Sequence, residues 1–98
     1  MKTVDPLHGV AAFLAVAEHE SFTAGAAALG LTRATVSAQV ADLEARLGVR
    51  LLHRSTRSLR LTSAGAAYRE RLVDLPGRMV EAERAARAEQ TAPEGRLR

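Results

Sequence analysis

The sequence contains no cysteine and no tryptophan. Without cysteine there can be no disulfide scaffold, no Cys-ligated zinc and no thiol nucleophile, an absence that agrees with a reducing compartment. Aromatic residues are limited to Phe13, Phe22 and Tyr68, so the core must be built from Ala, Leu and Val. Alanine is the best intrinsic helix former, and the residues that favour strands are scarce, which argues for packed helices and against an all-β sandwich or barrel. No apolar run approaches the 18 or more residues of a membrane span, and the N-terminus lacks a basic region followed by an apolar stretch and a small-residue cleavage site. The expectation is a soluble intracellular protein with no membrane partner. Glycine-rich phosphate loops, carboxylate pairs in apolar context and metal-ligand spacings are also missing, and His8, His19 and His53 are scattered. No catalytic residue, metal or cofactor is therefore expected. At 98 residues the chain has room for one domain and excludes a large enzyme fold.

Acidic and basic residues are both present, with a formal net charge of +3, but they are unevenly distributed. Residues 31–60 carry six arginines against Asp42 and Glu44, a local excess of four. Arg50, Arg54, Arg57 and Arg60, with His53, fall within eleven residues that contain no acid. Such a cluster is either a solvated charged turn or a surface for a polyanion such as nucleic acid.

Hydrophobic spacing supplies the elements. Asp5-Pro6 is expected to open a first helix, since Asp accepts hydrogen bonds from free N–H groups and Pro fits the first turn. Leu7, Val10, Ala11, Leu14 and Ala17 follow helical spacing, Phe13 and Val16 widen that face, and Glu18-His19-Glu20 end it. A short Ala-rich helix follows, capped by Ser21 or Thr23, with Phe22 placed as a hydrophobic staple and Gly30 as a left-handed stop. Thr32 caps a third helix, 32–47, whose buried stripe reads Val36, Val40, Leu43 and Leu47 before Gly48. So tight a glycine-containing turn between two helices predicts a helix-turn-helix. Val49, Leu51, Leu59 and Leu61 then alternate with Arg50 and Arg60 around a polar turn, His53 to Ser58, predicting a two-stranded hairpin, or wing, with arginines at its tip.

Thr62 caps a fourth helix in which Tyr68, Leu72, Leu75, Met79, Ala82 and Ala86 recur at spacings of 4, 3, 4, 3 and 4, a heptad seam. A narrow stripe on about 25 residues, ~37 Å at 1.5 Å per residue, predicts a partner helix, the alternative being a helix folded back onto its own domain. Pro76-Gly77 interrupts the seam, because Pro76 cannot donate to the Leu72 carbonyl and crowds it, so a kink or a break is expected there. From Gln90 onward the composition reads as a frayed tail. The layout is thus a mainly α winged helix-turn-helix over 1–62, a long dimerisation helix over 63–89 and a flexible tail over 90–98.

A helix-turn-helix with an arginine-bearing wing suits double-stranded DNA. The third helix leaves Arg33, Ala34, Ser37, Ala38 and Ala41 opposite its buried stripe, with Thr35 and Gln39 on the flanks. Arg33 can bond bidentately to guanine, Ser37 can meet a base edge and Ala34 can pack on a thymine methyl. The bland alternative for Arg33 is a solvated N-terminal residue. Thr23 and Thr32, near helix N-termini, can present hydroxyls and free N–H groups to phosphates while acting as caps. In the wing, Arg57 is best placed for a minor groove and Arg54 and Arg60 for phosphates, although Arg54 could instead pair internally with Glu44 or Asp42. An interaction module that uses only the heptad seam is the competing reading, and it leaves the acid-free arginine cluster without a task.

The run Ser21-Phe22-Thr23-Ala24, Leu29-Gly30, Val36-Ser37, Gln39-Val40, Leu43-Glu44, Leu47-Gly48-Val49, Leu51, Arg54, Arg57 and Leu61-Thr62-Ser63-Ala64-Gly65 is similar to the N-terminal domain of bacterial LysR-type transcriptional regulators. The similarity spans residues 7 to about 88 without a gap. It implies a winged helix-turn-helix, antiparallel pairing of linker helices between two chains, and dimers and tetramers on promoter or operator DNA in a bacterial cytoplasm, with the nucleoid. It also implies that a separate effector-binding domain, absent here, takes the small-molecule effector. Arg33-Ala34 stands where the family commonly has Gln-Pro, Ala38 where a basic residue usually follows the serine, Leu52 at the usual wing Phe, and Pro76-Gly77 is foreign to an unbroken linker helix.

Overall fold

A computed structural model describes residues 5–54 and 58–91. Its elements run α1 (Val10–His19), α2 (Phe22–Leu29), α3 (Arg33–Leu47), β1 (Leu52–Arg54), β2 (Leu59–Leu61), α4 (Ser63–Leu72) and α5 (Leu75–Thr91). This is the mainly helical, winged helix-turn-helix class expected from the sequence.

The first helix begins at Val10 rather than at Asp5-Pro6. The Asp5 carboxylate accepts from the Leu7 N–H at 2.9 Å, making a separate turn, and Gly9 then takes the left-handed φ of 85° that ends it. A Cβ at Gly9 would lie 2.6 Å from the Gln39 carbonyl oxygen, so glycine also lets this turn rest on α3. The Arg46 guanidinium donates to the carbonyls of His8 (3.0 Å) and Pro6 (3.3 Å), and His8 Nε2 lies 3.0 Å from an Asp42 carboxylate oxygen. The buried part of α1 is Val10 together with Ala12 through Val16, while Leu7 and Ala11, both expected inside, are exposed. Spacing failed here because α1 is the central helix, covered on several sides by α2, α3 and the Tyr68 ring of α4.

Of the two candidate caps for α2, Ser21 acts: its Oγ accepts from the Ala24 N–H at 3.0 Å. With Ser21 as the cap, Phe22 is the first residue of α2 and a buried core side chain, not the hydrophobic staple that precedes a cap. Gly25 brings α2 against α1, since a Cβ there would sit 2.9 Å from the Val16 backbone. Gly30, at φ 70°, closes the helix, and two residues later Thr32 Oγ1 accepts from the Thr35 N–H at 3.1 Å to open α3. Val36, Val40 and Leu43 are fully buried on α3, but Leu47 is exposed, and Glu44 continues the inner face in its place.

The hairpin is shorter than the sequence alternation implied. Leu52 pairs with Leu61, His53 with Arg60 and Arg54 with Leu59, whereas Val49 is exposed and Leu51 and Leu52 are both buried. Glu44 accounts for the difference. Its carboxylate accepts from the Leu51 and Leu52 N–H groups at 2.8 and 3.2 Å, holding the chain ahead of β1 to α3 instead of leaving it to a strand. Thr62 returns the chain to this point, with its N–H donating to the Leu51 carbonyl (3.0 Å) and its hydroxyl to that of Arg50 (2.7 Å) while accepting from the Gly65 N–H (2.9 Å). A Cβ at Gly65 would overlap the Leu51 carbonyl oxygen, so only glycine permits this approach.

Beyond the hairpin the choice between kink and break falls to a break. The expected single helix is two, α4 ending at Leu72 and α5 starting at Leu75. Pro76 cannot continue a helix through Leu72, yet it fits the first turn of a new one. The heptad seam divides at the same place. The Tyr68 ring meets Phe13 in a tilted contact at 5.6 Å between centroids and, with Leu72 and Leu75, packs half-buried against the core, while α5 is exposed from Pro76 through Gln90.

Candidate nucleic-acid interface

The buried side of α3 fixes what its other side presents. With Val36, Val40 and Leu43 in the core, Arg33, Ala34, Thr35, Ala38 and Ala41 are exposed and Ser37 and Gln39 are half-buried at the margins. Thr32 lies exposed at the head of this face, its hydroxyl engaged by the Thr35 N–H and donating to the Thr35 Oγ1 at 2.9 Å. Thr23 is exposed in the first turn of α2, with Ser21 doing the capping. No acidic residue occurs between Thr23 and Ala41.

The arginines divide according to their partners. Arg54 donates to Glu44 Oε1 at 3.2 Å, and Arg50 Nε lies 3.7 Å from the same oxygen. Glu44 is only 7% exposed, so this carboxylate, with two backbone N–H groups and two guanidiniums around it, is a buried junction between α3 and the hairpin. Asp42 is taken by His8. Glu44 is thus consumed internally, Asp42 is exposed beside His8, and Arg33 and Arg60 make no ion pair among the described residues. Arg60, across the ladder from His53, is exposed and borders a groove of about 450 Å³ that also holds Glu18, Glu20 and Arg69. Arg57 lies outside the described residues.

Two further contacts were not expected. The Arg33 and Arg54 guanidinium carbons lie 5.5 and 5.2 Å from the centroid of the Phe22 ring, so one aromatic side chain joins α2, the head of α3 and the wing. The Glu44 junction did leave a trace in the sequence, for Val36, Val40 and Glu44 recur every four residues and so share a face. The seam residues do not come together as a group. Tyr68, Leu72 and Leu75 sit against the domain, whereas Met79, Ala82 and Ala86 are exposed on α5.

Among the described residues no cluster of three or more His, Cys, Asp or Glu is arranged to hold a metal, and no helix is long and apolar enough to cross a membrane.

This arrangement has close counterparts. The family model described as bacterial regulatory helix-turn-helix protein, lysR family, matches residues 7–66. An HTH-type transcriptional regulator of Xanthomonas campestris pv. campestris is 49% identical over 86 residues, covering 88% of this chain and 25% of that protein. An HTH-type transcriptional repressor of Pseudomonas aeruginosa is 46% identical over 95 residues, covering 97% of this chain and 30% of its own. The chain therefore spans about a quarter to a third of the length of these relatives. Among solved structures, the BenM DNA-binding domain in complex with catB site 1 DNA superposes with a TM-score of 0.80 at 26% identity, covering 91% of this chain and 98% of that one. The CbnR DNA-binding domain in complex with DNA gives 0.68 at 38% identity, covering 85% and 98%.

Proposed function

The chain belongs to the LysR family of bacterial regulatory helix-turn-helix proteins, and from that membership we propose that it binds promoter DNA sequence-specifically as the reading head of a transcriptional regulator. The observation that carries this reading is the exposed face of α3 from Arg33 to Ala41, which carries no acid, whose opposite side is locked in the core and whose leading cation, Arg33, makes no ion pair among the described residues. The solved neighbours that contain DNA support it. In this reading α3 enters the major groove. Arg33, Ala34, Ser37 and Ala38 meet base edges, with Thr35 and Gln39 beside them. Thr23, Thr32 and Arg60 meet phosphates and Arg57 enters the minor groove, while Arg54 is held internally by Glu44. Segment 1–62 is the DNA-binding domain, 63–89 carries homodimerisation through the seam, and 90–98 leads toward an effector-binding domain that mediates tetramers and small-molecule control in a longer protein. The role is regulatory rather than catalytic, and it belongs in the bacterial cytoplasm, with the nucleoid.

The test begins with random duplex DNA titrated at several salt concentrations. Log affinity should fall linearly with log salt, with a slope near 0.9 per phosphate contacted. Selection of bound duplexes from a random pool and footprinting should then return an interrupted palindrome, the signature of a two-fold dimer. A chain that dimerises but shows no salt-dependent DNA binding would instead be a protein-interaction module. The exposure of Met79 and Val80 on α5 favours that second reading.

A further inference from the structure

Arg33 occupies a position that should be awkward for a cation. It is the first residue of α3, where the helix presents its positive end, and it has no carboxylate partner among the described residues. Its contact is the Phe22 ring, 5.5 Å from the guanidinium carbon. Phe22 is buried and therefore fixed in direction by the core. The same ring bears Arg54 at 5.2 Å, and Arg54 is in turn held by the buried Glu44 at 3.2 Å. Of the two cations on the ring, one is ion-paired and anchored while the other has no ion pair among the described residues. That asymmetry separates a holding arginine from a reading arginine.

We propose that Phe22 is a positioning residue for sequence reading: its ring holds the Arg33 guanidinium at the head of α3, so that Arg33 meets a paired acceptor on DNA already ordered, and that acceptor is the O6/N7 edge of a guanine. This rests on the DNA-binding reading given above. The physical basis is that a planar fork gains most from bidentate contact when its freedom is lost before binding rather than during it. A phosphate offers similar acceptors, and the experiment separates the two.

The full chain is titrated with its selected duplex, with duplexes in which each guanine is replaced by 7-deazaguanine, which lacks the N7 acceptor, and with random duplex. Arg33→Ala should lower discrimination at one guanine by about 5- to 150-fold and leave the other positions unchanged. Phe22→Leu, which keeps an apolar side chain but removes the ring, should lower discrimination at that same guanine by about 2- to 5-fold, with random-duplex affinity unchanged within about twofold. The double variant should match Arg33→Ala alone. The proposal is overturned if Phe22→Leu leaves that guanine's discrimination intact, if the two losses add independently, or if Arg33→Ala weakens all duplexes equally, as a phosphate contact would. If circular dichroism shows that Phe22→Leu does not fold, the unaltered protein decides by NMR. Arg33 δ-protons shifted upfield by the ring support the proposal, and ordinary shifts refute it. Absence of any duplex binding by the unaltered chain would remove the DNA reading and this proposal together, whereas intact binding with uncoupled Phe22 and Arg33 removes the proposal alone.

Discussion

Glu44 shows how much a single side chain can organise. A carboxylate on the inner face of a helix is costly unless its lone pairs are satisfied, and here two backbone N–H groups and Arg54 satisfy them. Replacing it by alanine would leave the Leu51 and Leu52 N–H groups buried without an acceptor and release Arg54. The expected loss is about 3–5 kcal/mol, read as a lower urea midpoint at unchanged m-value. Glu44→Gln, which keeps an acceptor oxygen, should lose less. Gly9→Ala is the backbone counterpart. A side chain at φ 85°, 2.6 Å from the Gln39 carbonyl oxygen, should lower stability by more than about 1 kcal/mol in the same measurement and loosen the N-terminal turn from α3. The sequence disclosed these residues unequally. The caps Thr32 and Thr62 and the stop at Gly30 could be read directly, because their chemistry is local. The contacts of Phe22 could not, since the ring meets Arg33 and Arg54 from elements 11 and 32 residues away in sequence.

Among the elements, periodicity located α1, α2 and α3 and read α4 and α5 as one interrupted helix, but misjudged how much of them is buried. For α3 the single stripe held at Val36, Val40 and Leu43, because one side of that helix is free, and failed at Leu47, whose place Glu44 takes. For α1 it did not hold, because Ala12 is enclosed as completely as Phe13 beside it and Ala15 is buried too, and small side chains give little periodic contrast. The seam on α4 and α5 was legible as a pattern but not as a division of tasks, since only the fold shows Tyr68, Leu72 and Leu75 resting on the domain. The break between these helices follows from two adjacent residues. Substituting Pro76→Ala and Gly77→Ala together restores a donor and removes a poor helix former. Far-UV circular dichroism should then show helix continuing through Val73 and Asp74, with thermal stability unchanged or raised. Met79→Glu, on the exposed part of the seam, should leave the fold intact and shift the proposed dimer toward monomer in sedimentation.

For the molecule as a whole, the useful quantity is where uncompensated charge remains, rather than the net +3. Arg60→Ala should reduce the slope of log affinity against log salt by about 1, because Arg60 is exposed and makes no ion pair among the described residues. Arg54→Ala should change that slope less and stability more, since its charge is already matched by Glu44. The interruption at Val73-Asp74 also acts at this scale. With 17 residues, α5 is a lever of about 26 Å, and tilting it by about 10° at the interruption sweeps its far end by about 4.5 Å. That exceeds the 3.4 Å rise of one base pair. One base pair also turns a half-site by about 34° around the duplex, so in a dimer joined through such levers half-sites set one base pair nearer or farther should lose less affinity than they would with rigid helices. A chain whose two helices have been fused by the Pro76 and Gly77 substitutions should accept a single spacing, so that the tolerance of an operator to insertion is written into two residues far from the DNA.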